Sequence, residues 1–163
     1  MSNETDLRQH RCCFTGHRPE KLSISEKELE DLLREEIRNA IADGFTTFIS
    51  GMARGADIVA AELVLKEQLI NPGIHLICAL PFQGFGDNWS QEWRDRRNLV
   101  LQQANFIHTV CSGFSYSSYQ RRNEWMVDHS ARVIVICNGS SGGTKNTIQY
   151  AQQKGVSVLI RNG

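Results

Sequence analysis

The chain has 163 residues, the length of one domain, and 40% of them are apolar, enough for a core that needs no covalent staples. Eighteen Lys and Arg balance eighteen Asp and Glu, so the formal charge is zero. A general polyanion binder needs a strong basic excess, and single-stranded DNA is therefore not an expected partner. No apolar run reaches membrane-spanning length and the polar N-terminus lacks a signal-peptide core, so the expected location is cytoplasmic, with no membrane partner. Cys12, Cys13, Cys78 and Cys137 fall in or beside strand-like runs and Cys111 ends another; five is an odd count and no spacing suits zinc, so these read as buried, reduced thiols and no metal is expected.

Residues 1–10 are polar and read as a frayed, flexible terminus, leaving 11–163 as the domain. Arg11 to Phe14 reads as a strand. Ser25 caps a helix running to Asp43, with Leu29, Leu32, Leu33, Ile37 and Ile41 in one stripe and Gly44 at its end. Phe45 to Ser50 is a strand and Arg54 to Ile70 a helix closed by Asn71-Pro72-Gly73. Ile74 to Leu80 is an apolar strand interrupted only by His75. A loop from Pro81 to Asn88 leads into a helix from Trp89 to Gln103, then a strand from Asn105 to Val110. After a Gly/Ser-rich loop come a helix from Tyr119 to Ser130, a strand from Ala131 to Cys137, a helix from Thr144 to Lys154 and a strand from Val156 to Ile160. Apolar strands alternating with helices predict an α/β three-layer sandwich, doubly wound, with a mostly parallel sheet of about six strands. In such sheets ligands bind outside the carboxyl ends of the strands, where strand order reverses.

Three glycine-bearing turns lie at those ends. In Thr15-Gly16-His17-Arg18-Pro19 the glycine permits close backbone approach or positive φ, Thr15 offers a hydroxyl, His17 a donor, and Arg18 a planar cation suited to phosphate. In Ser50-Gly51-Met52-Ala53-Arg54-Gly55-Ala56-Asp57 two glycines bracket small residues, so the turn can wrap an anion. Asp57 suits the helix N-terminus, and can also brace Arg54 or bind a ribose hydroxyl. In Asn138-Gly139-Ser140-Ser141-Gly142-Gly143-Thr144 backbone N–H groups and hydroxyls converge on a helix start, a phosphate cradle in which Thr144 can also be a plain cap. Neither the Walker A loop nor the Gly-x-Gly-x-x-Gly fingerprint is present.

The second string resembles the Ser-Gly-x-Ala-x-Gly-x-Asp signature of the DNA-processing protein DprA, and Gly143-Thr144 resembles the glycine-threonine turn of the LOG (lysine decarboxylase-like) proteins. Both belong to the SLOG superfamily. With Ala79-Leu80-Pro81-Phe82, Arg122-Asn123 and Met126-Val127-Asp128, the strings resemble most the YpsA-like family within it, a bacterial and phage family of unassigned activity. The resemblance, from residue 11 to about 160, implies a Rossmann-like sheet with a pocket for a nucleotide or nucleotide-derived ligand. The candidate ligand contacts, from the three turns and the resembling strings together, are Thr15, Gly16, His17, Arg18, Ser50, Gly51, Ala53, Arg54, Gly55, Asp57, Pro81, Arg122, Asn123, Asn138, Ser141, Gly142, Gly143 and Thr144, with Gln83 and Asp87 of the loop after the third strand as ribose or base contacts or, equally, solvated loop residues. The chain departs from the LOG pattern in one respect: Thr147 stands where the catalytic glutamate falls, which leans away from an enzyme.

The expected function is thus a nucleotide-binding sensor or regulatory module. The alternatives are a nucleotide hydrolase with Asp57 or Asp87 as base, and a protein-interaction scaffold with a vestigial pocket. The identity of any cofactor, and whether the partner is a second copy or another protein, stay open. Trp89 and Trp93 read as core packing, with Trp89 as a base-stacking lid the alternative; Arg96 or Arg97 face phosphates or an acidic neighbour. His75 and His108 read as hydrogen-bonded structural histidines, Asp128 and His129 as a local polar helix end, and the acids from Glu26 to Glu36 as a solvated face.

Overall fold

The computed structural model describes residues 4–140 and 142–163, and the side chain of residue 5 lies outside the description. Its elements are α1 (Glu4–Arg8), β1 (Arg11–Gly16), a 3-10 turn (Pro19–Lys21), α2 (Glu26–Ala42), β2 (Thr47–Ser50) and α3 (Ala56–Ile70). There follow β3 (His75–Leu80), α4 (Gln91–Gln103), β4 (Phe106–Thr109), α5 (Ser118–Asp128), β5 (Arg132–Cys137), α6 (Gly143–Gln153) and β6 (Ser157–Asn162). All neighbouring strands are parallel, in the order β4-β3-β2-β1-β5-β6. The expected three-layer α/β sandwich is what the chain forms. In the N-terminal segment residues 4–8 are helical, and Arg11 pairs with Glu4 at 2.5 Å.

Side-chain alternation splits the core into two layers. Phe14, Phe48, Ile134 and Ile136 face α2, α3 and α4, while Cys13, Ile49, Val133 and Val135 face α5 and α6. Phe14 and Phe48 stack at 5.9 Å on neighbouring strands. Ser25 caps α2 by accepting the Glu28 N–H at 3.1 Å, and its hydroxyl donates to the Glu28 carboxylate at 3.2 Å. Gly44 follows the helix at φ +100°, the left-handed stop that its position predicts. The five cysteines are all buried.

Three expectations are corrected here. Glu36 is not on a solvated face: it is buried and accepts from Arg161 at 2.5 Å. His75 is exposed at the first residue of β3, and among the described residues no partner engages its ring. His108 sits face-on against Trp125, ring centroids 4.4 Å apart, in a stack that continues to His129. Stacking, not hydrogen bonding, holds that ring.

Candidate functional site

β1 lies between β2 and β5, so the chain winds away from it first to one side and then to the other. The crossover connections diverge beyond the carboxyl ends of β1 and β5 and leave a crevice there. The three glycine turns all reach this rim: residues 16–19 after β1, 50–57 after β2 and 138–144 after β5.

The first turn starts later than its sequence suggests. Thr15 and Gly16 still pair with Val135 and Ile136 of β5, so their backbone groups belong to the ladder. Gly16 is required by packing: a Cβ there would lie 2.5 Å from Ala56 Cβ and 3.1 Å from Ile136 O. The missing side chain lets the N-terminus of α3 press onto β1.

The second turn is braced from within. Ser50 Oγ donates to Asp57 O at 2.8 Å and accepts the Met52 N–H at 3.2 Å, tying both ends of the loop to one hydroxyl. Met52 is fully buried at φ +62°, a conformation costly for a side-chain-bearing residue. Gly55, at φ +91°, caps α3, and a Cβ on it would strike His17 O at 2.7 Å. The second turn therefore lies directly against the first.

Over Gly51 two buried opposite charges approach without forming an ion pair. A Cβ at Gly51 would be 3.0 Å from Asp57 Oδ2 and 3.1 Å from both Cδ and Cζ of Arg122. Arg122, on the first turn and a half of α5, donates from Nη1 to Gly51 O and from Nε to Asn123 Oδ1 at 2.8 Å. Its guanidinium also lies 5.5 Å from the Phe85 ring centroid. Asp57 Oδ2 accepts only a long bond from the Ala53 N–H, 3.4 Å, and Asp57 Oδ1 is buried with no partner. Burial pushes the Asp57 carboxyl up to about 6, against the pull of Arg122 and the Ala53 N–H. Burial likewise draws the Arg122 guanidinium below its ordinary value, with Asp57 and then Tyr119 opposing.

Two adjoining cavities occupy the rim. One, about 200 Å3, is polar and is walled by residues of all three turns, among them Arg18, Asp57 and Thr144, together with Thr15, Lys21 and Asn123. The other, about 300 Å3, adds Arg54, Phe85 and Trp89. Arg18, Ala53, Tyr119 and Arg122 line both, so the two read as chambers of one cleft. The aromatic chamber opens onto a cluster in which Phe82 meets Phe85, Phe114 and Tyr119 edge-on at 5.5–5.8 Å. Tyr116, 93% exposed, extends that cluster through Phe114.

The third turn is knotted to the first. His17 Nε2 lies 3.1 Å from Asn138 Oδ1, and Asn138 Nδ2 donates to Lys21 O and Ser23 Oγ at 2.8 and 3.1 Å. The Asn138 backbone N–H and Ser140 Oγ also lie 3.3 Å from His17 Nε2, so three groups of the third turn converge on that nitrogen. Burial keeps the His17 imidazole below its ordinary value, with the Asn138 bond opposing. Gly142 caps α6 at φ +139°, and a Cβ there would stand 3.5 Å from Lys21 Nζ, so a cation overhangs the third turn.

The predicted residues divide clearly. Thr15, Gly16, His17, Arg18, Ala53, Asp57, Arg122, Asn123, Gly142, Gly143 and Thr144 meet on the polar chamber. Arg54 lines only the aromatic chamber and pairs with Glu20 at 2.6 Å. Ser50, Gly51 and Gly55 shape the floor and are buried. Asn138 lines a separate cavity of about 480 Å3 beyond His17. Pro81 and Gln83 do not line either chamber; Phe85, two residues on, enters in their stead. Ser141 lies outside the described residues.

Trp89 both packs against the core and lines the aromatic chamber. Arg96 and Arg97 face acidic neighbours: Arg96 holds Glu62 and Glu26, and Arg97 holds Asp87 at 2.9 Å. Asp87 is thereby drawn out of the cleft. Thr147 Oγ1 donates to Gly143 O at 2.9 Å within α6, so no carboxylate stands at that position. Lys21 and Phe85 were not legible as site residues. A lysine two residues past Pro19 gives no periodic signal, and the 3-10 turn that folds it back is a tertiary matter. Among the described residues no cluster of His, Cys, Asp and Glu suits a metal ion, and no helix is long and apolar enough to cross a membrane.

Comparisons with known proteins bear on the family and the fold. A family model described as the YspA SLOG family matches residues 12–158. The chain is similar to the uncharacterized SPbeta prophage-derived protein YoqJ of Bacillus subtilis (strain 168), 33% identical over 118 residues, covering 65% of this chain and 69% of the relative. It is also similar to a UPF0398 protein of Bacillus cereus (strain B4264), 22% identical over 151 residues, covering 86% and 82%. Among solved structures, DNA processing protein A of Helicobacter pylori superposes with a TM-score of 0.62 at 19% identity, over 96% of this chain and 66% of that one. DprA of Streptococcus pneumoniae gives 0.63 at 17%, over 94% and 50%. The chain thus spans only half to about two thirds of those two proteins.

One expectation falls here. The Helicobacter protein was solved for its single-stranded DNA binding mode, and this neutral chain shares its fold, so even charge balance is no ground for setting DNA aside. Net charge is a sum over the whole surface, whereas Arg18, Lys21, Arg54 and Arg122 gather on one rim.

Proposed function

The chain belongs to the YspA SLOG family, and from that premise we propose that its cleft binds a nucleotide or nucleotide-derived ligand, as a sensor or regulatory module. The observation that carries this reading is the pairing of the two chambers. The polar one offers glycine turns, two helix N-termini and the cations Arg18, Lys21 and Arg122 to a phosphate. The adjoining one offers Phe85, Trp89 and Tyr119 to the face of a base. A nucleotide is the common ligand that is anionic at one end and a flat aromatic at the other.

Calorimetry or thermal shift with ribonucleoside 5′-monophosphates, NAD and ADP-ribose tests it, because a ligand of the native state raises apparent stability. Arg18 has no ion-pair partner among the described residues. Arg18→Ala is expected to weaken a confirmed nucleotide roughly tenfold, the scale of one charge-assisted bond. Unchanged affinity ends the phosphate assignment. Product release from the panel turns the reading towards a hydrolase with Asp57 as base, and absence of any shift turns it towards an interaction scaffold.

A second reading, single-stranded nucleic acid, is favoured by one observation of its own. Phe114, Tyr116 and Tyr119 extend the aromatic chamber outward as exposed rings beside the cations. Stacking rings next to a cationic groove are what unpaired bases bind. A short fluorescent oligodeoxynucleotide tests it: binding that weakens with added salt and with Tyr116→Ala supports the reading.

A further inference from the structure

We infer that Asp57 is the sugar-reading residue of the cleft: its free carboxylate oxygen accepts a hydrogen bond from a ribose hydroxyl of the bound nucleotide. The inference rests on the nucleotide reading above and narrows it to ligands that carry a donor at the junction of the two chambers.

The argument begins with an unmet demand. Asp57 is 6% exposed, and its Oδ1 is buried with no hydrogen-bond partner. Leaving a buried carboxylate oxygen unpaired is costly, and native structures avoid it except where a ligand or solvent completes the set. Position in the first turn of α3 favours a negative charge but supplies no bond to Oδ1. The neighbouring cation does not supply one either. Arg122 spends Nη1 on Gly51 O and Nε on Asn123 Oδ1, and it stands beyond ion-pair distance of Asp57 among the described residues. Among the described residues no group donates to Oδ1, and the site is open to a donor that a ligand brings.

Geometry states which donor. Asp57 lines the polar chamber, and its other oxygen accepts from Ala53, a residue that lines both chambers. The carboxylate therefore stands beside the passage between them. With phosphate on the glycine turns and base against Phe85, Trp89 and Tyr119, the part of the ligand in that passage is the sugar. The donors that a nucleotide sugar carries are its hydroxyls. Gly51 lets both side chains reach this place, since a Cβ there would crowd Asp57 Oδ2 at 3.0 Å and Arg122 at 3.1 Å.

The test is a comparison of affinities by calorimetry on the full chain. The probes are the four ribonucleoside 5′-monophosphates and, for the tightest, its 2′-deoxy and 3′-deoxy forms. Wild-type protein is expected to bind one of the two deoxy forms about 10- to 100-fold more weakly, the scale of a lost bond to a charged group. In Asp57→Ala and in Asp57→Asn, which preserves shape, that ratio is expected to fall to within about threefold of unity by the same reasoning. A purely structural Asp57 would lower all three affinities together and leave the ratio unchanged. If wild type binds all three nucleotides equally, or if both variants keep the wild-type ratio, the sugar assignment is overturned while phosphate binding, checked through Arg18→Ala, still stands. If no nucleotide binds, the functional reading falls and this inference falls with it.

Discussion

Two regions of the molecule each set an arginine among carboxylates beside a cavity, and they resolve their electrostatics in opposite ways. On the outer face, Arg96 takes Glu62 in a two-pronged bond, 2.6 and 3.0 Å, adds Glu26 at 2.8 Å, and lies over Trp93 at 4.4 Å. The Glu62 bond and then the Glu26 bond push its guanidinium up. A groove of about 400 Å3 adjoins it, walled by Leu63, Leu69, Leu99 and Val100. At the rim, Arg122 and Asp57 are more deeply buried, do not pair, and leave one carboxylate oxygen unsatisfied. The groove holds more space than either chamber of the cleft, yet its charges answer one another and ask nothing of a ligand. Unmet electrostatic demand, more than volume, distinguishes a binding site from a crease between helices.

The comparison can be broken by removing each arginine. Arg122→Ala is expected to have the largest effect, about 3 kcal/mol of stability in denaturant unfolding. It strands the Gly51 carbonyl and removes the cation that opposes the burial cost of Asp57. Nucleotide affinity should vanish with it.

Asp57→Asn is expected to act in the opposite direction on stability. The folded carboxyl titrates at about 6, above its ordinary 3.8, so between those values the folded chain holds a proton that the unfolded chain has released. Stability from this group is full below the ordinary value and is lost as pH rises through about 6. At pH 7 the buried carboxylate therefore opposes folding, and the neutral amide should stabilise by about 2 kcal/mol, with little change at pH 4. The groups that face Asp57 are Arg122, the Ala53 N–H and the Cys13 thiol, with His17, Arg18 and Lys21 on the same chamber. Thermal unfolding of both proteins across pH 4–8 checks the sign; equal pH profiles would show that Asp57 carries no penalty. Arg96→Ala is the smallest expected change, about 1 kcal/mol, because its pairs are partly solvated. Nucleotide affinity should not respond, and a large loss there would undo the distinction.

The order of strands and helices was legible because apolar runs and their spacing carry it. The boundaries that moved did so for tertiary reasons. Thr15-Gly16 reads as a turn, yet the pairing offered by β5 draws it into the sheet. The glycine turns were visible as candidates one at a time; only the order β2-β1-β5 brings them together. Pro81 stands in a string that resembles the family and Gln83 in the loop after β3, but the residue of that turn lining the cleft is Phe85, with Gly84 and Gly86 at positive φ on either side of it. No linear pattern reports that an oxygen of Asp57 lacks a partner, since that depends on Arg122, contributed by a helix 65 residues further along.

Met52 gives the cleft a kinetic character. A side-chain-bearing residue persists at φ +62° only where its neighbours over-determine it, and here the Ser50 hydroxyl and complete burial do so. The loop is thus wound into its receiving shape before anything arrives, and an incoming molecule need not wait for it to close. Capture should run at a rate set by collision and charge steering, with little ordering entropy lost on arrival.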